Sequence, residues 1–125
     1  MPTASSNPDK CWIIIYADED FKGKHEHLFG PARYPNMRIN GEDWHDEIDS
    51  VKIGPCAYVR CYEDELFEST HLWLLPGQEI ARLNDFGFGD RIDSIEIFSD
   101  PPKVGERGYE EYLKAEADRN KGVGE

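Results

Sequence analysis

The sequence lacks the long apolar segments that would place it in or across a membrane. No apolar run approaches the roughly 18 residues of a membrane-spanning helix, and residues 1–10 have no apolar centre like that of a signal peptide. We therefore expect no membrane segment and no membrane partner. The compartment stays open between the cytoplasm and secretion with a signal that this sequence does not include.

Cysteine is scarce as well. The three cysteines, Cys11, Cys56 and Cys61, are not the dense, even-numbered set of a disulfide-dependent fold, and none has a CxxC or zinc-ligand spacing. We expect free buried thiols, with a Cys56–Cys61 bridge as the alternative.

Hydrophobic residues make up 38% of the 125 residues, which is enough for the core of one compact domain.

Positive charge is in short supply, because 14 Lys and Arg stand against 26 Asp and Glu and the net charge is −12. Such a chain cannot neutralise a run of phosphates, so we expect no nucleic-acid partner, and an anionic membrane surface is equally disfavoured. The excess of carboxylates suits a hard divalent cation, although a solvated acidic surface is the commoner explanation. The acidity is compatible with a monomer, which we expect.

One ten-residue stretch occurs twice, at 44–53 and at 88–97. Both copies read aromatic, x, Asp, x, Ile, Asp, Ser, β-branched, charged, Ile, and the shared aspartates Asp46 and Asp90 are 90 − 46 = 44 residues apart. Each copy combines a loop rich in oxygen ligands with the start of an alternating strand. A short chain that repeats itself in this way predicts a duplicated architecture.

A hairpin pattern precedes each copy of this motif. Tyr16 matches Tyr62 and Phe21 matches Phe67 at a constant offset of 62 − 16 = 46, and acidic residues fill the tip of both hairpins. Two units of four short strands each, with no convincing internal helix, predict an all-β sandwich.

The patterns divide the chain into a lead-in, a domain and a tail. Residues 1–10 are polar and predict a disordered lead-in. Residues 11–99 hold the domain, with unit one at 11–54 and unit two at 55–99. Within unit one, the Pro-, Asn- and Gly-rich segment 30–43 predicts a crossing loop with at most one turn of helix.

The tail, residues 100–125, begins where Pro101 and Pro102 end the last strand. Its helical periodicity places Tyr109, Tyr112, Leu113 and Ala117 roughly on one face. An isolated helix of this length is marginal in water, so a docked helix and a frayed tail both remain open.

The two units together resemble the Greek-key motif of the βγ-crystallins. The resemblance rests on a Tyr-x4-Phe-x-Gly hairpin, whose Tyr and Phe recur in unit two, and on its companion Asp-x-Ile-Asp-Ser strand start, which is present twice over residues 11–98. It implies two intercalated Greek keys in a β-sandwich, with Tyr packed on Phe in each hairpin and Gly23 at positive φ. Ser69 replaces the second glycine, which predicts either a strained turn or a different closure.

Calcium is the cofactor that the resemblance implies. Some members of this family bind it through (Asn/Asp)-(Asn/Asp)-x-x-(Ser/Thr)-Ser, which corresponds here to 45–50 and 89–94. Each ion would take a backbone carbonyl and a side chain from this motif and a backbone carbonyl from the hairpin of the opposite unit. One site would use Glu47, Asp49 and Glu63, the other Arg91, Asp93 and Ala17, with help from Asp46 and Asp90.

The motif departs from the family pattern in two opposing ways. The fifth position is Asp in both copies, which adds a carboxylate and favours a divalent cation. The first position holds His45 or Gly89, which removes one oxygen from each site. The structural alternative for Asp49 and Asp93 is an Asx-turn at the start of a strand.

Other readings of the sequence are weaker. His25 and His27 lie on one side of a strand, as a two-His zinc site would require, yet His71 repeats His25 and favours a shared surface position. The tryptophans and tyrosines suit core packing better than a sugar platform. The sequence has no recognised catalytic motif, so we expect no enzyme.

The sequence thus predicts a structural or stress-related protein stabilised by two calcium ions. The alternatives are a protein-binding module of inhibitor or toxin type, whose tail would contact a partner through Tyr109, Tyr112 and Leu113, and a structural protein with vestigial calcium loops.

Overall fold

The computed structural model describes residues 11–39, 41–44, 47–89 and 91–123, so the expected lead-in at 1–10 lies outside the described residues. The described chain forms ten strands and one C-terminal helix. In chain order they are β1 (Trp12–Asp18), β2 (Lys22–Phe29), β3 (Ala32–Tyr34), β4 (Arg38–Ile39), β5 (Glu42–Asp43), β6 (Ser50–Ile53), β7 (Tyr58–Asp64), β8 (Glu68–Leu74), β9 (Glu79–Ile80), β10 (Ser94–Phe98) and α1 (Tyr109–Val123).

Two antiparallel four-stranded sheets form the sandwich. Sheet one has the order β2-β1-β6-β9 and sheet two the order β3-β10-β7-β8. Strand β3 belongs to unit one but pairs with β10 of unit two, and β9 of unit two pairs with β6 of unit one. Each unit therefore lends one strand to the other sheet, which confirms the prediction of two intercalated Greek keys.

The core lies between the two sheets and follows the alternation of the strands. Ile13 and Ile15 of β1 and Val59 and Cys61 of β7 are buried inward, with the fully buried Trp44 beside them. Because successive strand residues point to opposite faces, the residues between them point outward. Core burial of this kind supplies the main driving force for folding.

The three thiols are free, so the alternative of a Cys56–Cys61 bridge is wrong for this structure. Cys11 and Cys61 are buried, and burial raises the pKa of the Cys61 thiol to about 12. This thiol is therefore protonated and unreactive at neutral pH.

The segment 30–43 differs from its prediction. It contains the short strands β3, β4 and β5 rather than a turn of helix. The prolines and asparagines do interrupt it, but Ala32–Tyr34 still finds backbone partners along β10. Backbone pairing with the edge of β10 thus makes this segment a strand despite its local turn signals.

The tail forms a helix that docks on the outer face of sheet two. Tyr112 is buried there with Trp73 and Leu75, and Ala115 packs against the same cluster. The predicted face is confirmed for Tyr112, which is buried, and for Tyr109, which is half-buried, but it is wrong for Leu113, which is 44% exposed, and for the exposed Ala117. No helix in the described part of the chain is long and apolar enough to span a membrane.

Candidate functional site

The two hairpins that carry the acidic loops have the same internal packing. The rings of Tyr16 and Phe21 are 5.6 Å apart and nearly perpendicular, and those of Tyr62 and Phe67 repeat this contact at 5.7 Å. Gly23 has φ +79°, and an added Cβ would lie 2.6 Å from a carboxylate oxygen of Asp18. Only glycine fits this turn, as the resemblance implied.

The last serine of each repeated motif fastens the neighbouring hairpin. The buried Oγ of Ser50 accepts a hydrogen bond from the Phe21 N–H at 3.0 Å and donates to the Asp18 carbonyl at 2.6 Å. The same pair of bonds recurs around Ser94, with Phe67 as donor at 3.0 Å and Asp64 as acceptor at 2.6 Å. One hydroxyl thus satisfies two backbone groups in each turn.

The acidic loop of unit one lies against its own hairpin. The Asp49 N–H donates to the carbonyl of Tyr16 at 3.0 Å, which places Asp49 beside Ala17. The Asp49 carbonyl accepts the N–H of Leu83 at 2.9 Å, which ties the loop to unit two. The carboxylate of Glu47 forms an ion pair with the Lys24 ammonium at 2.9 Å.

The acidic loop of unit two repeats this arrangement. The Asp93 N–H donates to the Tyr62 carbonyl at 2.9 Å. Asp93 is only 7% exposed and lines an open depression together with Glu63, Asp64 and Arg91. The Arg91 guanidinium donates from Nη1 to Oε2 of Glu63 at 3.0 Å, so a fixed positive charge lies within this acidic group.

These positions divide the candidate ligands differently from the resemblance. The structure groups each motif with the hairpin of its own unit, Asp49 with Tyr16 and Asp93 with Tyr62 and Glu63, whereas the resemblance paired each motif with the opposite hairpin. Asp46 and Asp90 lie outside the described residues. Among the described residues, no three His, Cys, Asp or Glu side chains converge as they would around a metal ion.

The donor chemistry nonetheless suits calcium. Carboxylate and carbonyl oxygens are the ligands that a hard cation takes, and Glu63, Asp64 and Asp93 supply such oxygens at one depression. A site built of two carbonyls and one carboxylate needs no cluster of three acidic side chains. The Arg91–Glu63 pair would compete with a bound cation for the same carboxylate.

A buried ion cluster on sheet two was missed by the sequence analysis. Oε1 of Glu96 accepts hydrogen bonds from Arg60 at 3.0 and 3.1 Å and from the Tyr62 hydroxyl at 2.8 Å. Its Oε2 accepts one from Nε of Arg33 at 3.0 Å. Burial by itself would raise the pKa of Glu96, but the bonds from Tyr62 and Arg60 and the two positive charges outweigh it, so the pKa is lowered.

Arg60 also holds the tail in place. Its Nη1 donates to the carbonyl of Arg107 at 2.9 Å, and Nε1 of Trp73 donates to the carbonyl of Gly108 at 3.0 Å. Gly108 has φ +86°, and an added Cβ would overlap the Arg60 guanidinium. The guanidinium also lies 5.0 Å from the centre of the Trp73 ring, a cation–π contact.

The only sequence signal for this cluster is a difference between the two units. The cross-strand pair Arg60–Glu96 occupies the place of Ile14–Lys52 in unit one. The opposite charges of Arg60 and Glu96 attract each other across neighbouring strands, whereas Ile14 and Lys52 have no such attraction.

Comparisons with known proteins agree on the fold. No family model matches the chain. The chain is 26% identical to Spherulin-3A of Physarum polycephalum over 91 residues, 73% of this chain and 85% of that protein.

Solved structures give the same result. A structure concerned with the evolution of the eye-lens βγ-crystallin domain fold matches with a TM-score of 0.67 at 23% identity, covering 78% of this chain and 95% of that one. A βγ-crystallin domain from Flavobacterium johnsoniae matches with a TM-score of 0.62 at 22% identity, covering 73% and 98%. With two intercalated Greek keys, two matching Tyr–Phe hairpins and these structural neighbours, the chain has the βγ-crystallin fold, to which a docked C-terminal helix is added.

Proposed function

We propose that this protein is a structural, crystallin-type protein whose two acidic loops bind calcium and thereby stabilise the sandwich. The observation that supports this most is the duplication of one anchored aspartate. Asp49 and Asp93 hold the same position in their units, each bonded through its own N–H to a tyrosine carbonyl of the adjacent hairpin. Such a backbone anchor fixes a carboxylate beside a turn rich in carbonyl oxygens.

The residues that would hold the two ions follow from this grouping. Asp93 would act with Glu63 and Asp64, whose oxygens share its depression. Asp49 would act with Glu47 and with the carbonyl of Ala17, which follows the Tyr16 carbonyl to which Asp49 is bonded. Asp46, Asp90 and the carbonyl of Arg91 complete the proposed ligand set.

The stabilising effect would come from linkage rather than catalysis. Calcium supplies a divalent charge that offsets the repulsion among loop carboxylates. Because the unfolded chain does not gather these oxygens, binding raises the free energy of unfolding by RT ln(1 + [Ca²⁺]/Kd), about 2.7 kcal/mol at a hundred times Kd. The role of the chain is to present the oxygens at fixed backbone positions.

A second candidate is a structural protein whose loops need no calcium. Two ion pairs favour it, Lys24–Glu47 at 2.9 Å and Arg91–Glu63 at 3.0 Å. In this case the basic side chains supply the neutralising charge that the cation would otherwise bring. Both candidates keep the protein structural and without catalytic activity.

Calorimetric titration of calcium into chelator-treated protein tests the proposal. We expect about two sites, of which Asp49→Asn and Asp93→Asn each remove one, because each substitution deletes a single carboxylate. Asp118→Asn, at an exposed position in α1, is the matched control and should titrate like the parent. Titration curves without heat in the parent protein would overturn the calcium proposal.

Arg91→Gln separates the two candidates. If calcium is the natural ligand, removal of the competing guanidinium should tighten the Asp93 site, and the Asp49 site should be unchanged. If Arg91 is the permanent counter-charge, the variant should instead lower the melting temperature and remain insensitive to calcium.

A further inference from the structure

A cleft of about 470 Å³ opens between the outer face of sheet two and the segment that leads into α1. Three guanidinium groups line it, those of Arg33, Arg60 and Arg107, and its apolar lining includes Trp73 and Phe98. This volume falls in the range of small-molecule sites. The cleft is separate from both acidic loops.

Three arginines in one cleft are notable in a chain of net charge −12. The carboxylate of Glu96 lies between Arg33 and Arg60 and accepts hydrogen bonds from both. Of the two other carboxylates in the lining, that of Glu106 accepts the backbone N–H of Lys103 at 2.8 Å. With Asp100, the lining holds three carboxylates and three guanidiniums, so its formal charges balance, and the ion pairs in this lining join Glu96 to Arg33 and Arg60.

Arg33 and Arg107 lie at the accessible rim of the cleft. The Arg33 side chain is 64% exposed, and Arg107 is exposed and donates from Nη2 to the Phe67 carbonyl at 3.1 Å. A guanidinium carries five N–H donors, and the contacts described here engage two of those of Arg33 and one of those of Arg107. Both side chains therefore retain donors that an incoming anion can accept.

The apolar part of the lining consists of aromatic and proline side chains. The rings of Trp73 and Phe98 lie 5.8 Å apart at an interplanar angle of 37°, and Pro101 and Pro102 also line the cleft. Trp73 is only 5% exposed and its Nε1 is fixed by the Gly108 carbonyl. Because Arg60 and Tyr112 cover Trp73, the half-buried Phe98 ring and the two prolines supply the apolar surface that a ligand ring can contact.

We propose that this cleft binds a small molecule in which one anionic group, a carboxylate or a phosphate, is attached to a flat apolar ring system. The anionic group would accept hydrogen bonds from Arg33 and Arg107, whose planar forks match carboxylate and phosphate oxygens. The ring system would pack on Phe98 and the two prolines. Neither part suffices, because an acidic protein repels a free anion and a neutral ring leaves the guanidiniums unused.

Titration with three probes of equal ring size tests this ligand chemistry. The probes are 2-naphthoate, 2-naphthyl phosphate and 2-naphthol, followed by nitrogen–proton correlation NMR of the indole N–H of Trp73 and the backbone N–H of Gly108. We expect saturable shifts of both signals with one or both anions, and at least tenfold weaker binding of the neutral 2-naphthol. The ratio of the two anion affinities distinguishes a carboxylate site from a phosphate site.

Variants then assign the binding to the two rim arginines. Arg107→Gln and Arg33→Gln should each weaken the anion about tenfold, because each removes a charge-assisted bond. Arg82→Gln, 57% exposed and outside the cleft, is the matched control and should bind like the parent. Since Arg33 also contacts Glu96, Arg107→Gln decides the matter if the Arg33 variant fails to fold.

Two results would overturn the proposal. One is the absence of saturable shifts with either anion, and the other is an unchanged affinity in Arg107→Gln. Titrations carried out in chelator are independent of the calcium proposal, so either proposal can fail while the other stands.

Discussion

At the scale of single residues, the carboxylate of Glu96 joins three side chains of sheet two, those of Arg33, Arg60 and Tyr62. The Glu96 side chain is 5% exposed, and the Arg60 side chain that faces it is 8% exposed. Removing one partner of a buried pair leaves the other charge without compensation, which costs more than the intact pair contributes. The Tyr62 hydroxyl depends on the same carboxylate, and burial followed by this bond raises its pKa to about 12.

Glu96→Gln should therefore destabilise the protein by about 3 kcal/mol. The pKa of Glu96 is lowered in the folded protein, so as the pH falls this carboxyl group is protonated first in the unfolded state. The stability that the ionised Glu96 contributes is therefore present above its ordinary pKa of 4.5 and is lost as the pH falls below that value. Urea unfolding at a series of pH values from neutrality downwards should show a shallower acid loss in the variant than in the parent. Glu79→Gln, exposed in β9, is the control, and parallel pH profiles for parent and Glu96→Gln would contradict this assignment.

At the scale of elements, α1 adds a third layer to the βγ-crystallin fold, over sheet two. Tyr112 supplies the main apolar contact, with its ring centre 5.6 Å from that of Trp73 and 6.2 Å from that of Tyr58. His71 lies under the first turn of the helix. Burial and the charges of Arg60 and Arg107 lower the pKa of His71 against the opposing effect of Glu111, so it is neutral beneath the docked helix.

Tyr112→Ala should undock the helix and reduce stability by about 3 kcal/mol, the usual cost of deleting a large buried aromatic side chain. Leu113→Ala, its neighbour at 44% exposure, should change stability by less than about 0.5 kcal/mol. Hydrogen exchange would show the difference as lost protection across α1 in the first variant alone, with β1 and β7 still protected. Equal effects of the two substitutions would contradict the observed orientation.

The sandwich could be predicted from sequence because its signals are local and duplicated. Tyr16, Phe21 and Gly23 occur at a spacing that one hairpin geometry explains, and their partial recurrence in unit two confirms the register. The docked face of α1 could not be predicted in this way. Whether Tyr112 or Leu113 turns inward depends on where Arg60 and Trp73 hold the chain before the helix, and those contacts are remote in sequence.

The ion cluster shows the same limit. Alternation correctly directs Arg60 and Glu96 away from the core, and such charged residues normally face solvent. The tail covers this outer face instead, so residues with a surface pattern become buried. The grouping of the acidic loops also depends on tertiary contacts, because a motif alone does not specify which hairpin lies beside it.

At the scale of the whole molecule, the net charge of −12 opposes folding through self-repulsion. Raising sodium chloride from about 10 to about 150 mM shortens the Debye length from roughly 30 to 8 Å and screens this repulsion. The melting temperature should therefore rise by about 2 to 4 °C, measured by circular dichroism in chelator. A fall with added salt would mean that the ion pairs outweigh the net repulsion.

The same experiment provides the reference for calcium. At matched ionic strength, sodium, magnesium and calcium chloride screen the net charge to a similar extent, and they differ mainly in what a specific site recognises. A larger rise with calcium chloride than with sodium or magnesium chloride would therefore be attributable to the acidic loops and not to general screening.

The placement of the three tryptophans has an optical consequence. Trp12 lies partly exposed on the outer face of sheet one, Trp44 is fully buried between the sheets, and Trp73 is 5% exposed beneath α1. Each indole therefore reports on a different layer of the protein through its own emission. Single-tryptophan variants would follow the open face, the core and the docking of the tail separately, and their unfolding curves would reveal whether the three layers melt together or in sequence.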